Sequence, residues 1–417
     1  MRARWVHLYD CRWMAAAIFV LGLMSVSELR AQAANGAAVS NVCRPKIIAE
    51  DIVATAKHRF AAGQQAQPPN IVGPSGFDWS DTQLGIVKSR DGVHYLFFGS
   101  DGSCHHDCGT LQERDGSITR TVGFLDDPLG DDLPVEFILP QGELFAENAV
   151  IYAGGGLVSR VPEGHPGAGN LLMVYGVARW TNLKARNGNY GLTGLAKSTD
   201  EGLTWTDLGF IITANVPFIP GARTSVNEFD SGLGNLVPDP AGKYFYYFFP
   251  DKVRTGGFDG THLTFFSVAR VPMDELLHAA FDDAAPRTLP SFEKYHLGAW
   301  DQPGLGGLST SILNPYSAGG DPVVIWSDYL QRYVDISDDT GAIYYSESAD
   351  AIHWSQTITL KSSSLGAVLY AVPVGIGDDP NRIGKDFYIL FTYYPTPSQY
   401  GGGWGAASIR RLEMQCQ

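Results

Sequence analysis

Five carboxylates stand out because each lies within or just before a stretch of apolar or aromatic residues. They are Asp81, Asp101, Glu147, Asp230 and Asp321. Burial among apolar groups raises the pKa of a carboxyl, and a charge is costly there unless it is paired or used. Glycoside hydrolysis needs two carboxyl groups, one as a protonated acid and one as a nucleophile or base. The alternative for each residue is structural, as a turn cap or a partner of backbone amides at a sheet edge.

Aromatic side chains are frequent enough to form a sugar site beside such a pair. The chain has 21 Phe, 19 Tyr and 9 Trp, and an aromatic ring can stack on the apolar face of a sugar. We expect Trp79, Trp180 and Trp326 to bind substrate, together with His105 and Asp321. For each aromatic residue, packing between sheets is the competing interpretation.

Four cysteines, Cys43, Cys104, Cys108 and Cys416, follow the N-terminal segment that contains the fifth. An even number in an exported chain indicates two disulfides, which three pairings could form. We predict Cys43–Cys416, because these residues lie at the two ends of the mature chain. We also predict Cys104–Cys108, which enclose the short segment "CHHDC".

The segment "CHHDC" also has the composition of a metal cluster, but no second ligand pair is evident among the other histidines. The acidic stretch "DDPLGDD" at 126–132 lacks the regular ligand spacing of a calcium loop. We therefore predict no metal site and no cofactor, with a structural calcium ion as the alternative.

Residues 1–33 have the three parts of a secretory signal peptide. Arg2, Arg4 and Arg12 form a basic start, 14–24 is an apolar run, and 31–33 has the small-x-small form of a cleavage site. The apolar run is shorter than the roughly 20 residues that span a bilayer. We predict a secreted or periplasmic protein without stable membrane insertion, and an uncleaved anchor is the alternative.

The composition indicates a globular all-β protein. Of 417 residues, 44% are hydrophobic and only 18% are charged, while the chain has 48 Gly and 24 Pro. This combination favours many short strands joined by turns. The formal net charge of −14 argues against nucleic-acid binding. The expected partner is a polysaccharide or oligosaccharide, and the expected state is a monomer.

Short apolar strands recur along the chain, among them "HYLFFG", "YFYYFFP", "PVVIW" and "DFYILFTYY". Three segments, starting at Lys88, Lys197 and Ser346, share Ser-x-Asp followed by a small residue and an aromatic, a pattern typical of a hairpin turn. Roughly twenty such strands predict a five-bladed β-propeller over 67–417, with a pair of β-sandwiches as the alternative. Helices are predicted at 272–281 and at 45–60, the latter within an N-terminal segment over 34–66.

The order of several motifs resembles a known family. "DTQLGI … YLFFGSD", "AKSTDEGLTW", "FSVARVPMDELL" and "RYVDISDD … AIYYSESADAIHWS" follow one another between 77 and 354. This order is similar to that of secreted five-bladed propellers, formerly a domain of unknown function, that are associated with endo-D-arabinanases. The resemblance implies hydrolysis of an arabinan-like, furanose-containing polysaccharide.

The resemblance also implies positions for the carboxylates. The aspartate of the family's "FGD" segment corresponds to Asp101, displaced by one position because Ser100 intervenes. The aspartate of its "TDLG" segment corresponds to Gln83, and the nearest acid is Asp81. This departure leaves open a protein that binds sugars without cleaving them.

The sequence predicts a secreted glycoside hydrolase in which Asp81 and Asp101 are the acid and the nucleophile, while Glu147 and Asp230 orient or tune them. A carbohydrate-binding propeller without catalysis is the first alternative, and a structural or adhesion propeller is the second. Two or more acids around one end of the axis favour the enzyme. Aromatic residues without paired acids favour the binding protein, and an end plugged by apolar side chains favours the structural role.

Overall fold

The computed structural model describes residues 43–55, 83–100, 117–123, 125–126, 136–138, 150–182, 187–223, 234–255, 257, 262–282, 288–313, 322–364, 366–395 and 408–417. Within this part of the chain the structure is almost entirely β, as predicted. Cys43–Gln417 form one compact unit. The predicted signal peptide lies outside the described residues.

The strands form five almost entirely antiparallel sheets, the blades of a five-bladed β-propeller, as predicted. In chain order they are β1 (Pro45–Thr55), β2 (Gly85–Lys88), β3 (His94–Ser100), β4 (Ser117–Gly123), β5 (Glu136–Ile138), β6 (Val150–Arg160), β7 (Leu171–Asn182), β8 (Asn187–Ser198), β9 (Thr206–Thr213), β10 (Leu236–Pro238), β11 (Tyr244–Arg254), β12 (His262–Pro272), β13 (Glu293–His296), β14 (Ala299–Pro303), β15 (Val323–Ser327), β16 (Arg332–Asp339), β17 (Ala342–Ser348), β18 (Ile358–Ser362), β19 (Ala367–Gly375), β20 (Arg382–Ile383), β21 (Asp386–Tyr394) and β22 (Ser408–Cys416).

Each blade begins with an innermost strand and continues outward. Blade 1 is β2–β5, blade 2 is β6–β9, and blade 3 is β10–β14. Blade 4 is β15–β18, and β20 adds to it by pairing in parallel with β15. Blade 5 has the order β19, β21, β22 and β1, so its outermost strand comes from the N-terminal part of the described chain.

The propeller axis is filled by aliphatic side chains from the innermost strands. Leu84 and Ile86 of blade 1, Leu157 of blade 2, Val323 of blade 4 and Val374 of blade 5 belong to one buried cluster. The space left among these strands is about 10 Å³, room for about one water molecule. Among the described residues this space is too small for anything larger than water, so a sugar cannot pass along the axis between them.

Polar side chains connect the innermost strands near the same level. Nδ2 of Asn381, from the loop between β19 and β21, donates to the carbonyls of Ile86 (3.2 Å) and Val158 (3.3 Å). Asn235 Nδ2 donates to the Val324 carbonyl, and its Oδ1 accepts from the Val324 amide. Each buried backbone group gains a partner from another blade, so the asparagines fix the blades relative to one another.

The ring closes in blade 5, where β1 pairs with β22 and a disulfide joins Cys43 to Cys416, as predicted. The predicted helix over 45–60 is wrong, because Pro45–Thr55 forms β1 and so belongs to the propeller. Two register shifts interrupt the β1–β22 pairing, as is common in edge strands. Glu50 also forms ion pairs with Lys361 (2.6 Å) and Arg410 (2.9 Å). Pairing with the free edge of β22 overrides the local helical pattern.

Two of the three Ser-x-Asp segments form the same hairpin turn. In the turn between β8 and β9, Asp200 accepts hydrogen bonds from the amide and the hydroxyl of Thr204 (2.9 and 2.6 Å). Gly202 has a φ of +81°, which glycine adopts without strain. Trp205 is buried edge-on against Phe97, with ring centroids 5.7 Å apart. This turn therefore packs the outer part of blade 2 onto blade 1.

The second hairpin of this type, at Ser348 and Asp350, joins β17 to β18 in blade 4. The first segment differs, because Ser89 lies in the turn between the first two strands of blade 1. The other two turns join the third strand to the fourth. The unequal spacing of the segments along the sequence follows from this difference.

A buried ion pair of blade 3 lies at the interface with blade 2. Lys294 and Asp251 have no exposed side-chain surface, and their charged groups are 3.1 Å apart. Lys294 Nζ also donates to the carbonyls of Thr213 and Gly307, both at 3.0 Å. These contacts satisfy the ammonium group inside the core. The predicted helix at 272–281 is confirmed as α1 (Met273–Phe281), which packs on the same interface.

Candidate functional site

Most of the predicted site residues lie outside the described residues, so their predicted roles stay predictions. These are Trp79, Asp81, Asp101, His105, Glu147, Asp230, Asp321 and the predicted Cys104–Cys108 pair. Trp180 belongs to β7, but its side chain also lies outside the described part. Trp326 and the Cys43–Cys416 disulfide are the predictions that the structure locates in full.

The positions of the carboxylates in the sequence can nevertheless be compared with the innermost strands, which surround the axis. Asp81, Glu147, Asp230 and Asp321 each stand shortly before an innermost strand, namely β2, β6, β10 and β15. Asp101 follows the last residue of β3, the neighbour of β2. We call the end of the axis where β2, β6, β10, β15 and β19 begin the entry end, and the end where they finish the exit end.

Two described residues at the entry end bear on the predicted site. Gln83, which the resemblance aligns with an aspartate, is 1% exposed just before β2. An uncharged, buried amide cannot supply the carboxylate expected there. Gly234, just before β10, has no room for a side chain, since a Cβ would lie 1.4 Å from the Phe248 carbonyl oxygen. Only glycine fits at this position, where the segment that contains Asp230 leads into blade 3.

The exit end holds a cavity of about 680 Å³ that all five blades line. Its apolar lining includes Val87, Val161, Leu236 and Met273, each 3% exposed or less. Turns that follow the innermost strands supply its polar residues. Pockets for small molecules have about this size, roughly 300–1,000 Å³.

Trp326, predicted to bind substrate, lines this exit-end cavity. Only 5% of its surface is exposed, and its ring packs edge-to-face on Tyr333 with centroids 4.9 Å apart. Burial raises the pKa of the Tyr333 hydroxyl, and the charge of Asp239 adds to this shift. Asp239 therefore lies near the aromatic pair of Tyr333 and Trp326, and of this pair Trp326 lines the cavity.

The basic side chains around the cavity are mostly committed to carboxylates within the protein. The pairs are Lys88–Asp378 (3.2 Å), Arg160–Glu201 (2.7 Å), His165–Asp274 (2.7 Å) and Arg382–Asp328. The Arg160 guanidinium also donates to the carbonyls of Lys88 and Gly169. These contacts hold the turns of neighbouring blades in place around the opening.

Four charged residues of the cavity lining have no ion pair within the described chain: Arg90, Glu163, Asp239 and Asp379. Asp379 is exposed to the cavity yet surrounded by protein, and this partial desolvation raises the pKa of its carboxyl. Sequence reasoning missed these acids because it selected acids within or just before apolar runs. Asp239 and Asp379 lie in the segments "VPDPAG" and "GDDPN", which have the composition of ordinary polar turns and gave no signal of their own.

In the described part of the chain, no group of three or more His, Cys, Asp and Glu side chains could hold a metal ion. The described helix α1 is also too short to cross a bilayer, and none of the helices there meets the length and apolarity that a membrane span needs.

No family model matches the sequence, and no curated protein matches it either. Among solved structures, the chain is similar to a protein of unknown function from Dyadobacter fermentans, with a TM-score of 0.47 and 10% identity over 89% of this chain and 99% of that one. It is also similar to an α-L-arabinofuranosidase from Podospora anserina (TM-score 0.44, 9% identity, 85% and 94% covered). A third is a family 117 glycoside hydrolase from Zobellia galactanivorans (TM-score 0.44, 12% identity, 82% and 88% covered). With TM-scores below 0.5, these likenesses say nothing about the activity of this chain, and its propeller fold is evident from its own sheet order.

Proposed function

We propose that the protein is an exported glycoside hydrolase that acts on a furanose-containing, arabinan-like polysaccharide at the entry end of the propeller. The sheet order carries this proposal. The innermost strands β2, β6, β10 and β15 belong to four successive blades around one axis, and an acidic residue precedes each of them in the sequence. Parallel strands around an axis begin at the same end, which supports convergence of these acids.

In this proposal Asp81 and Asp101 share the chemistry. One carboxyl donates a proton to the departing glycosidic oxygen, and the other acts as nucleophile or as base for a water molecule. Glu147 and Asp230 hold the pair in position or adjust its proton affinity, as neighbouring charges do. Trp79 and Trp180 offer rings to the sugar faces, and His105 and Asp321 offer hydrogen bonds to hydroxyls.

Export is part of the same proposal. The predicted signal peptide at 1–33 leads to the periplasm or the medium, where polysaccharides are met and disulfides persist. The Cys43–Cys416 disulfide agrees with such a compartment. We propose that the mature chain works as a monomer.

One observation favours a second candidate, a propeller that binds carbohydrate without cleaving it. Gln83 stands where the resembling family has an aspartate, and it is buried and uncharged. If Asp81 does not take over that role, the entry end lacks one of its two carboxyl groups.

Incubation of the mature protein with linear arabinan should release shorter oligosaccharides, detectable by chromatography. Asp101→Asn should lower the rate at least about a hundredfold, because a positioned acid or base contributes roughly 10²–10⁴ to the rate. Asp301→Asn, which changes an exposed acid in blade 3, is the matched control and should be as active as the wild type. Arabinan that is retained but not shortened by the wild type would favour the binding protein, and neither binding nor cleavage would contradict both candidates.

A further inference from the structure

The exit-end cavity is separate from the proposed catalytic end. The aliphatic cluster around Leu84, Ile86 and Leu157 fills the middle of the axis, and about 10 Å³ remains there. A ligand in the exit-end cavity therefore cannot reach the entry end through the axis. Whatever the cavity binds, it binds as a site of its own.

The floor of the cavity suits the apolar face of a small organic ligand. Five apolar side chains line this floor, and each is 5% exposed or less: Leu236, Val237, Met273, Val324 and Trp326. Hydrogen bonds within the protein fix the residues that line the cavity, for example the bond from Ser159 Oγ to the Leu236 carbonyl (2.8 Å). The cavity is thus preformed, which lowers the entropy cost of binding.

The charged groups of the described lining that remain unpaired are carboxylates from three different blades and one guanidinium. Asp239 Oδ1 accepts from the Ala241 amide (3.3 Å) and Asp379 Oδ1 from the Asn381 amide (2.9 Å). The second oxygen of each carboxylate has no partner within the described chain. Glu163 adds another free carboxylate, and Arg90 adds a guanidinium.

This combination suits an uncharged ligand rich in hydroxyl groups and disfavours an anion. Lys88, Arg160 and Arg382 are already paired with carboxylates of the protein, so they do not neutralise the cavity. The unpaired carboxylates of the lining outnumber its one unpaired guanidinium, Arg90, and this excess of negative charge repels a free anion. Sugar hydroxyls can donate to carboxylate oxygens and accept from Arg90 without bringing a charge, and hydrogen bonds to charged groups are stronger than those between neutral groups.

We propose that the exit-end cavity is a second, non-catalytic carbohydrate site that binds a neutral sugar of one or two residues. Asp239 and Asp379 accept from its hydroxyls, and the floor beside Trp326 contacts its C–H face. The site itself is independent of the proposed hydrolysis, and only the choice of an arabinose-based probe rests on the proposed function. Such a site would hold the protein on a polysaccharide while the entry end remains free.

Calorimetric titration with α-1,5-arabinobiose and with cellobiose tests the proposal, and digalacturonic acid serves as the anionic comparison. We expect at least one neutral disaccharide to bind. The double variant Asp239→Asn/Asp379→Asn should weaken binding about tenfold or more, since it removes two charge-assisted acceptors. The control Asp301→Asn should bind as the wild type does, and thermal unfolding of every variant should show an intact fold.

Measurements on Asp81→Asn/Asp101→Asn separate this proposal from the proposed function. Binding that persists in that variant and weakens in Asp239→Asn/Asp379→Asn supports the exit-end site, even if arabinan is never cleaved. The proposal is overturned if neither neutral disaccharide binds or if the anionic one binds equally well. Binding that depends on Asp81 and Asp101 but not on Asp239 and Asp379 would also overturn it.

Discussion

Replacing Cys43 and Cys416 together by serine should lower the free energy of unfolding by about 5 kcal/mol. The disulfide joins residues separated by 373 positions, so it restricts almost the whole unfolded chain. In the chain-entropy model this restriction grows with the length of the closed loop, which places the bond at the upper end of the usual range. Guanidinium unfolding of the oxidised wild type and of the double variant measures the difference.

The predicted Cys104–Cys108 disulfide provides a matched control, because it would close a loop of only a few residues. Its removal by two serines should cost about 2 kcal/mol in the same model. Equal losses from the two double variants would contradict ring closure as the reason for the large effect. A Cys43/Cys416 variant as stable as the wild type would show that β1–β22 pairing alone closes the ring.

Replacing Asp335 by asparagine should stabilise the protein by about 4 kcal/mol at pH 8 and leave its stability nearly unchanged at pH 4. Asp335 lies on β16 with no exposed surface, and burial raises the pKa of its carboxyl to about 7. Ser337 and Ser346 donate to Oδ2, whereas Oδ1 has no hydrogen-bond partner within the described chain. The environment therefore favours the neutral acid.

The direction of this effect follows from the two protonation states. Well below pH 4 the carboxyl is protonated in both the folded and the unfolded chain. As the pH rises toward 7, the unfolded chain loses this proton first and is favoured, so the stability of the folded protein falls. Above the raised pKa of about 7 the folded carboxyl is ionised too, and the loss is complete. Asparagine has no proton to lose and avoids this loss.

Chemical unfolding of the wild type and of Asp335→Asn between pH 4 and pH 8 measures the difference in their free energies of unfolding. The exposed control Asp301→Asn should follow the wild type at every pH. Asp338, on the same strand, also has its pKa raised to about 7 by burial, so part of the pH dependence should remain in Asp335→Asn. A variant that is no more stable than the wild type at pH 8 would contradict the burial of a neutral acid.

The blades could be predicted from sequence because many of their strands are largely buried runs of apolar residues between turns. "YFYYFFP" became part of β11 and "PVVIW" part of β15 for this reason. The segment at 45–55 could not be predicted, because its partner β22 lies at the other end of the chain. Only tertiary pairing distinguishes such an edge strand from a short helix.

The acids of the candidate sites likewise include some that the sequence indicated and some that it did not. Acids next to apolar strands could be selected from the sequence, since a charge beside buried residues is unusual. Glu163, Asp239 and Asp379 could not be selected, because each lies in a polar turn that resembles any other turn. Their proximity depends on the closure of five blades around one axis, and no local pattern contains that information.

The distance between the carboxyl groups of Asp81 and Asp101 in a crystal structure tests the central claim most directly. We predict roughly 5–10 Å between them in an open pocket at the entry end, where the short limit implies retention and the long limit inversion of the sugar configuration. Carboxyl groups that point apart, or either of them held in a turn hydrogen-bond network, would contradict the proposed pair. The chemistry would then fall to Glu147, Asp230 and Asp321, and failing those the protein would be a sugar-binding propeller without chemistry.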